Sequence, residues 1–168
     1  MAKAIYENMT AAEQGTDAPE ILFGKGMSFP SDILIEWEFM PMTGGGAFEM
    51  FFGVKDTPEG ESAYGISFLK RDTDKDRAFN LCRLMKYPMG AELERAADPL
   101  PTEPSDVWYS MKIHKKGGKI AFYIDDLLVL QYDDEGGEHG DILTGGAIIP
   151  RLSDGMRAGY RNIRVTWI

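Results

Sequence analysis

Three arginines in this chain fall in short alternating segments whose parity can bring them together. If Ile66 and Phe68 face a core, Ser67, Leu69 and Arg71 face away from it. The same parity turns Leu81, Arg83 and Met85 away from Cys82 and Leu84, and Ile149 and Arg151 away from Ile148. Arg71, Arg83 and Arg151 can then share one sheet face with Glu49 and Ser67. Convergent guanidinium groups pair bidentately with a carboxylate or a sulfate, so a concave sheet of this kind suits an acidic sugar. The plain alternative is a set of solvated arginines paired with the chain's own acids. His139 sits in GGEHGDIL, a glycine-flanked loop ahead of a strand, where a base can stand at the rim of a site. His114, beside Lys115 and Lys116, reads as an exposed strand-end residue.

Other chemistries find less support. Asp72, Asp74 and Asp76 imitate the start of a calcium loop, but Arg77 stands where glycine is needed and Arg83 where a bidentate glutamate is needed. The acidic run 133–138 reads as an exposed loop. Phosphate-binding glycine loops and a nucleophile elbow are absent from the sequence. Cys82 alternates with Leu84 and belongs in the core; as the single cysteine it excludes an internal disulfide and a cysteine-rich zinc site. No cofactor or metal is expected. Eighteen Lys and Arg against 27 Asp and Glu give a net charge of −9, which speaks against nucleic acid or an anionic membrane as partner. The N-terminal residues lack a charged start followed by an apolar run, and the longest apolar stretch, at 127–130, is too short for a bilayer. A cytoplasmic protein is expected.

The elements that must position these residues are strands. Nineteen glycines and nine prolines punctuate the 168 residues, and segments rich in Ile, Val, Phe, Tyr and Trp lie between them. Strands are predicted at 20–24, 32–41, 46–55, 63–71, 77–86, 107–116, 119–125, 127–133, 145–151 and 158–167, with a short one near Ala4 and Tyr6. Residues 107–133 read as a meander turning at Gly117–Gly118 and Asp125–Asp126, pairs that tolerate positive φ. One short helix is predicted at 91–97. The fold class is all-β: a single domain over 1–168 built as a two-sheet antiparallel sandwich of jelly-roll type, with an eight-stranded closed barrel as the alternative.

Four stretches resemble the YesU-like family of concanavalin A-like (lectin/glucanase-fold) proteins. They are IEWEFMPM at 35–42 with EMFF at 49–52; ISFLKRDTDKDRAFNLC at 66–82; ADPLP at 97–101; and MKIHKKGGKIAFYIDD, HGDILTGGAIIPR and YRNIRV in order between 111 and 165. The resemblance covers roughly residues 32–168. It implies a jelly roll tied to polysaccharide utilisation. Ser67, Arg71, Arg151, Tyr160 and Arg161 match the family pattern. Gly65, Arg83 and Met85 stand where relatives carry His, Asn and Arg, and His139 stands where Tyr is expected.

The leading expectation is a protein that binds a uronate-containing oligosaccharide on the concave sheet. If it is an enzyme, the favoured chemistry is a lyase-type or dehydratase-type β-elimination beside the uronate carboxylate. Arg83 and Arg151 would hold the carboxylate, His139 would be the base, and Tyr109 or Tyr160 the acid. A hydrolase would instead use two carboxylates, drawn from Glu36, Glu38 and Glu49 if strands 32–41 and 46–55 pair. A non-catalytic lectin would stack sugars on Trp37, Trp108 or Tyr109, although Trp37 reads more readily as core. Exposed edge strands also leave a homodimer open.

Overall fold

The computed structural model describes residues 3–6, 28–41, 46–70, 81–97, 107–153 and 158–168. The strand expected at 20–24, the aspartate turn at 72–76 and Arg71 lie outside the described residues.

Alternation in the sequence becomes alternation in space. Strand β2 (Ile33–Pro41) buries every odd-numbered residue and leaves the even-numbered ones half-covered. The other strands are β1 (Lys3–Tyr6), β3 (Gly46–Thr57), β4 (Gly60–Lys70), β5 (Leu81–Tyr87), β6 (Ala91–Ala96), β7 (Tyr109–Lys116), β8 (Lys119–Ile124), β9 (Leu127–Asp133), β10 (Ala147–Ser153) and β11 (Ala158–Trp167). They form a six-stranded sheet ordered β1-β11-β2-β7-β8-β9 and a five-stranded sheet ordered β10-β3-β4-β5-β6, antiparallel at every pairing. The expected sandwich is therefore present, as two sheets rather than a closed barrel.

Aromatic side chains from both sheets fill the space between them. Phe48 and Phe68, from neighbouring strands of the five-stranded sheet, stack at 4.7 Å between centroids. Phe68 stacks in turn on Phe122 of the other sheet at 5.4 Å, with planes 8° apart. Trp37, Phe39 and Cys82 lie in the same core.

Residues 91–97 do not form a helix. The segment AELERA has good helix formers, but the preceding turn brings it back along β5, where Cys82–Lys86 pair with Ala91–Ala96 across one register shift. Pairing that sheet edge, with Leu93 and Ala96 against the core, outweighs a weak local preference. Exposed Glu92, Glu94 and Arg95 then guard the free edge.

One end of the sandwich is closed by charge rather than by hydrocarbon. Asp134, just after β9, turns inward, and its Oδ2 accepts from Lys86 Nζ at 2.6 Å and from the Tyr64 hydroxyl at 2.5 Å. Its Oδ1 accepts from the Gly136 amide at 2.9 Å. Tyr64 also accepts from the Leu143 amide at 3.1 Å, and Lys86 donates to the Gly140 carbonyl at 3.0 Å. The chain passes close enough here that a Cβ on Gly118 would lie 2.0 Å from the Asp134 carbonyl oxygen, so only glycine fits. The Lys115 ammonium also lies over the Tyr64 ring, 5.8 Å from its centroid, and donates to Ser31 and to the Gly117 carbonyl. Burial pushes its ammonium below the usual lysine range, against the pull of Asp32 and Asp134.

Burial alone would raise the Asp134 carboxyl. The hydrogen bonds from Lys86, Tyr64 and Gly136 outweigh it and hold the group below its ordinary value. The stability this gives is present above the unfolded aspartate value of about 3.9 and is lost as pH falls through the lower folded value. Asp134→Asn should cost about 3–5 kcal/mol at neutral pH, because it strands the Lys86 charge in the interior. Urea denaturation from pH 7 down to pH 2 should show a smaller acid-dependent loss in the variant than in the parent.

Candidate ligand-binding groove

Cross-strand register places the anticipated polar residues in one line. On the outer face of the five-stranded sheet Arg151 pairs with Glu49, Glu49 with Ser67, Ser67 with Arg83, and Arg83 with Arg95. Residues directly opposite one another share a face, so the line crosses the whole sheet. Strands stand about 4.8 Å apart, which sets Arg151 and Arg83 about 14 Å from each other at the backbone. Arg151 reaches over β3 to Glu49 and Phe51, while Arg83 reaches the other way, toward Glu92 of β6.

The adjacent row is apolar: Ile149, Phe51, Gly65 and Met85. Gly65 leaves room that Phe51 and Tyr87 occupy. A Cβ there would come within 3.1 Å of the Phe51 ring and 3.4 Å of the Tyr87 ring. The two rings meet edge to face at 5.8 Å, and the Arg151 guanidinium lies over Phe51 at 5.5 Å. Val54, Ala63 and Ala147 complete an apolar cluster beneath them. A groove of about 330 Å³ opens here, lined by Glu49, Phe51, Glu61, Ala63, Tyr87, Pro88 and Arg151.

The charges on this face, in the groove and beside it, are loosely held. Arg151 Nη2 donates to Glu49 Oε1 at 3.4 Å, and Arg83 Nη1 stands 3.8 Å from Glu92 Oε2. Glu92 is already taken by Arg95, whose Nη2 donates to Oε2 at 2.9 Å and whose Nε donates to Oε1. The Ser67 hydroxyl and Arg83 Nε are buried without a hydrogen-bond partner among the described residues. Burial, with the Glu49 charge added, raises the Tyr87 phenol above its ordinary value against the opposing pull of Arg83 and Arg151.

Other anticipated residues lie elsewhere. Tyr109 is 1% exposed and Tyr160 is 0% exposed, both in the core, so neither reaches this face. Tyr160 packs against Phe39 and Phe48, and burial raises its hydroxyl. Tyr109 shares the parity of Met111 and Ile113, which are core residues. A β-bulge between Arg161 and Arg164, with Asn162 at φ 54°, gives Tyr160 the same inward side as Ile163 despite their odd spacing.

His139 is half-buried in the loop between β9 and β10, and among the described residues no hydrogen bond or ion pair joins it to Arg83, Arg151 or Glu49. Glu36 and Glu38 are on β2, which belongs to the other sheet, so they cannot act with Glu49. Glu38 instead receives Arg161 at 3.0 and 3.1 Å, while Trp108 stacks on that guanidinium at 4.0 Å. Among the described residues no group of three or more His, Cys, Asp or Glu gathers to hold a metal. No helix among them is long and apolar enough to cross a membrane.

Sequence reasoning missed Phe51 and Tyr87 as groove residues. The signal for Tyr87 was its parity with Arg83 and Met85, one residue beyond the predicted strand end.

Sheets of six and five strands packed face to face, each with a groove on its outer side, make this a β-sandwich of the galectin and glucanase kind. Residues 59–165 match a family described as a domain of unknown function, DUF1961. The uncharacterized protein YesU of Bacillus subtilis strain 168 is 30% identical over 171 residues, spanning 89% of this chain and 78% of YesU. The chain belongs to the DUF1961 family. A Bacillus subtilis protein of unknown function with a galectin-like fold superposes with a TM-score of 0.76 at 25% identity, covering 95% of this chain and 89% of that one. The carbohydrate-binding module CBM66 of Bacillus subtilis gives 0.60 at 18% identity, over 96% of this chain and 95% of the module. A β-glucanase of Bacillus licheniformis gives 0.61 at 17%, over 85% of this chain and 69% of the enzyme. These last two likenesses bear on the fold alone.

The Glu49 contribution to Tyr87 can be read directly. In an ultraviolet titration, Tyr87→Phe should remove one phenol that ionises above the ordinary value of about 10. Glu49→Gln should move that phenol to lower pH, since a negative neighbour disfavours phenolate. An unchanged titration in Glu49→Gln would separate the two groups.

Proposed function

We propose that this protein binds an acidic, uronate-containing oligosaccharide in the groove on the outer face of the five-stranded sheet. The observation that carries the reading is the line Arg151, Glu49, Ser67, Arg83, which puts two cations on one face beside the Phe51–Tyr87 pair. Aromatic rings present apolar surface for the C–H face of a sugar, while guanidinium and carboxylate groups pair with its acids and hydroxyls. Fold neighbours described as a carbohydrate-binding module and a β-glucanase support a saccharide ligand.

Binding is better supported than elimination. Of the residues expected to move protons, Tyr109 and Tyr160 are core and do not reach the groove, and His139 is not among the residues that line it. The Tyr87 phenol is held protonated more firmly than usual, which suits a hydrogen-bond donor to sugar oxygen and not a base.

The reading is tested by an array of neutral, uronate-containing and sulfated oligosaccharides, followed by calorimetry on the chains retained. Arg83→Ala should weaken binding of a uronate chain by about 1.5–3 kcal/mol, the range for a hydrogen bond to a charged group. Unchanged affinity would remove Arg83 from the site.

A further inference from the structure

The two arginines of this face are not equivalent, for Arg151 lines the groove and Arg83 stands beside it; resting on the saccharide reading above, we infer that Ser67 and Arg83 together form the subsite that recognises the ligand's anionic group, while Arg151 serves the sugar ring. Ser67 alternates with core residues Ile66 and Phe68, so its side chain projects to the groove side of the sheet. It is 6% exposed, and its hydroxyl has no hydrogen-bond partner among the described residues. Directly opposite, Arg83 Nε is buried and equally unpartnered. A buried donor left without an acceptor is costly, and a matched pair of them on adjacent strands is a place prepared for an incoming oxygen.

The surroundings leave that place to an anion. Glu92 forms only a long ion pair with Arg83, at 3.8 Å and beyond hydrogen-bond distance, and its carboxylate is engaged in two hydrogen bonds with Arg95. Those bonds, with a smaller pull from the Arg83 charge, hold the Glu92 carboxyl below its usual range, so it stays ionised and hydrogen-bonded to Arg95. The Arg83 guanidinium therefore keeps a free edge. A carboxylate or sulfate with one oxygen on Arg83 Nε and the Ser67 hydroxyl, and a second on an Arg83 terminal nitrogen, would satisfy all three in the planar fork geometry that guanidinium prefers. A neutral hydroxyl or methyl ester offers no second anionic oxygen.

Arg151 is differently placed. Glu49 stands opposite and accepts from it, and its guanidinium lies over the Phe51 ring. Its charge is compensated within the groove, and its flat face extends the Phe51–Tyr87 surface on which a ring can rest. With the two arginines three strands apart, a ligand using both spans more than one sugar. The ligand class is an oligosaccharide carrying an anionic group at the Arg83 end.

The test compares three probes by calorimetry: an oligogalacturonate, the same chain fully methyl-esterified, and a sulfated neutral oligosaccharide of equal length. The parent should prefer an anionic probe over the ester by roughly 10- to 100-fold, as expected for a charge-assisted hydrogen bond. Ser67→Ala and Arg83→Gln should each pull that ratio toward one. Arg83→Lys, which keeps charge but loses the fork, should fall between them and the parent. Arg151→Gln should weaken the anionic and esterified probes by the same factor and leave the ratio alone. A preference for the sulfated chain that disappears in Arg83→Gln supports the same subsite with sulfate as the anion. Equal binding of charged and esterified chains by the parent, or a ratio lost only in Arg151→Gln, overturns the inference while leaving saccharide binding in place. Failure of all three probes to bind the parent overturns the saccharide reading itself.

Discussion

The buried pair of Lys86 and Asp134 is the constraint on which the arrangement of the two sheets turns. Asp134 ends the meander of the six-stranded sheet, and Lys86 is on β5 of the five-stranded sheet. Taking two charges out of water costs several kcal/mol per ion, and the attraction repays this only when the remaining lone pairs and protons are satisfied. Here both carboxylate oxygens accept hydrogen bonds, and the ammonium finds the Gly140 carbonyl as well. The Tyr64 ring is within reach of both the Lys86 and the Lys115 ammonium groups. The loop that carries the chain from one sheet to the other is thus fastened at Gly136, Gly140 and Leu143 before β10 begins.

That fastening has a consequence on the opposite face. β10 enters the five-stranded sheet beside β3 in the register that sets Arg151 opposite Glu49. A slip of one residue would turn Arg151 inward and Pro150 outward, so the site depends on the same register that the core enforces. The sheet has two uses: Phe48, Met50, Ile66, Phe68, Cys82 and Leu84 look inward to pack, and Glu49, Phe51, Ser67, Arg83 and Met85 look outward. The outward face sets Phe51, Tyr87 and arginines over small Gly65 and Ala63, the surface to which ligand binding is assigned above.

Much of this was legible because the side-chain period in a strand is two and the chain punctuates its strands with turn residues. Parity placed Glu49, Ser67, Arg83 and Arg151 on one face with no knowledge of the strand order. It failed where a local signal competed with a long-range one. The segment 91–96 has helix-forming residues, yet it is recruited as the partner of β5. Glu36 and Glu38 are close in sequence to Glu49, but consecutive strands β2 and β3 belong to different sheets, and that crossover leaves no mark in composition. Tyr160 is carried inward by a bulge centred on Asn162, which alternation cannot foresee. Tyr109 was legible: its parity with Met111 and Ile113 marks it as core.

The central claim is that the ligand face is the outer side of β10, β3, β4 and β5. Amide chemical-shift mapping of the labelled protein during titration with oligogalacturonate tests it most directly. The account predicts that the largest perturbations cluster at Glu49, Phe51, Ser67, Arg83, Tyr87 and Arg151. Perturbations centred instead on the groove of about 340 Å³ on the other sheet, around His114, Ala121 and Gln131, would contradict it.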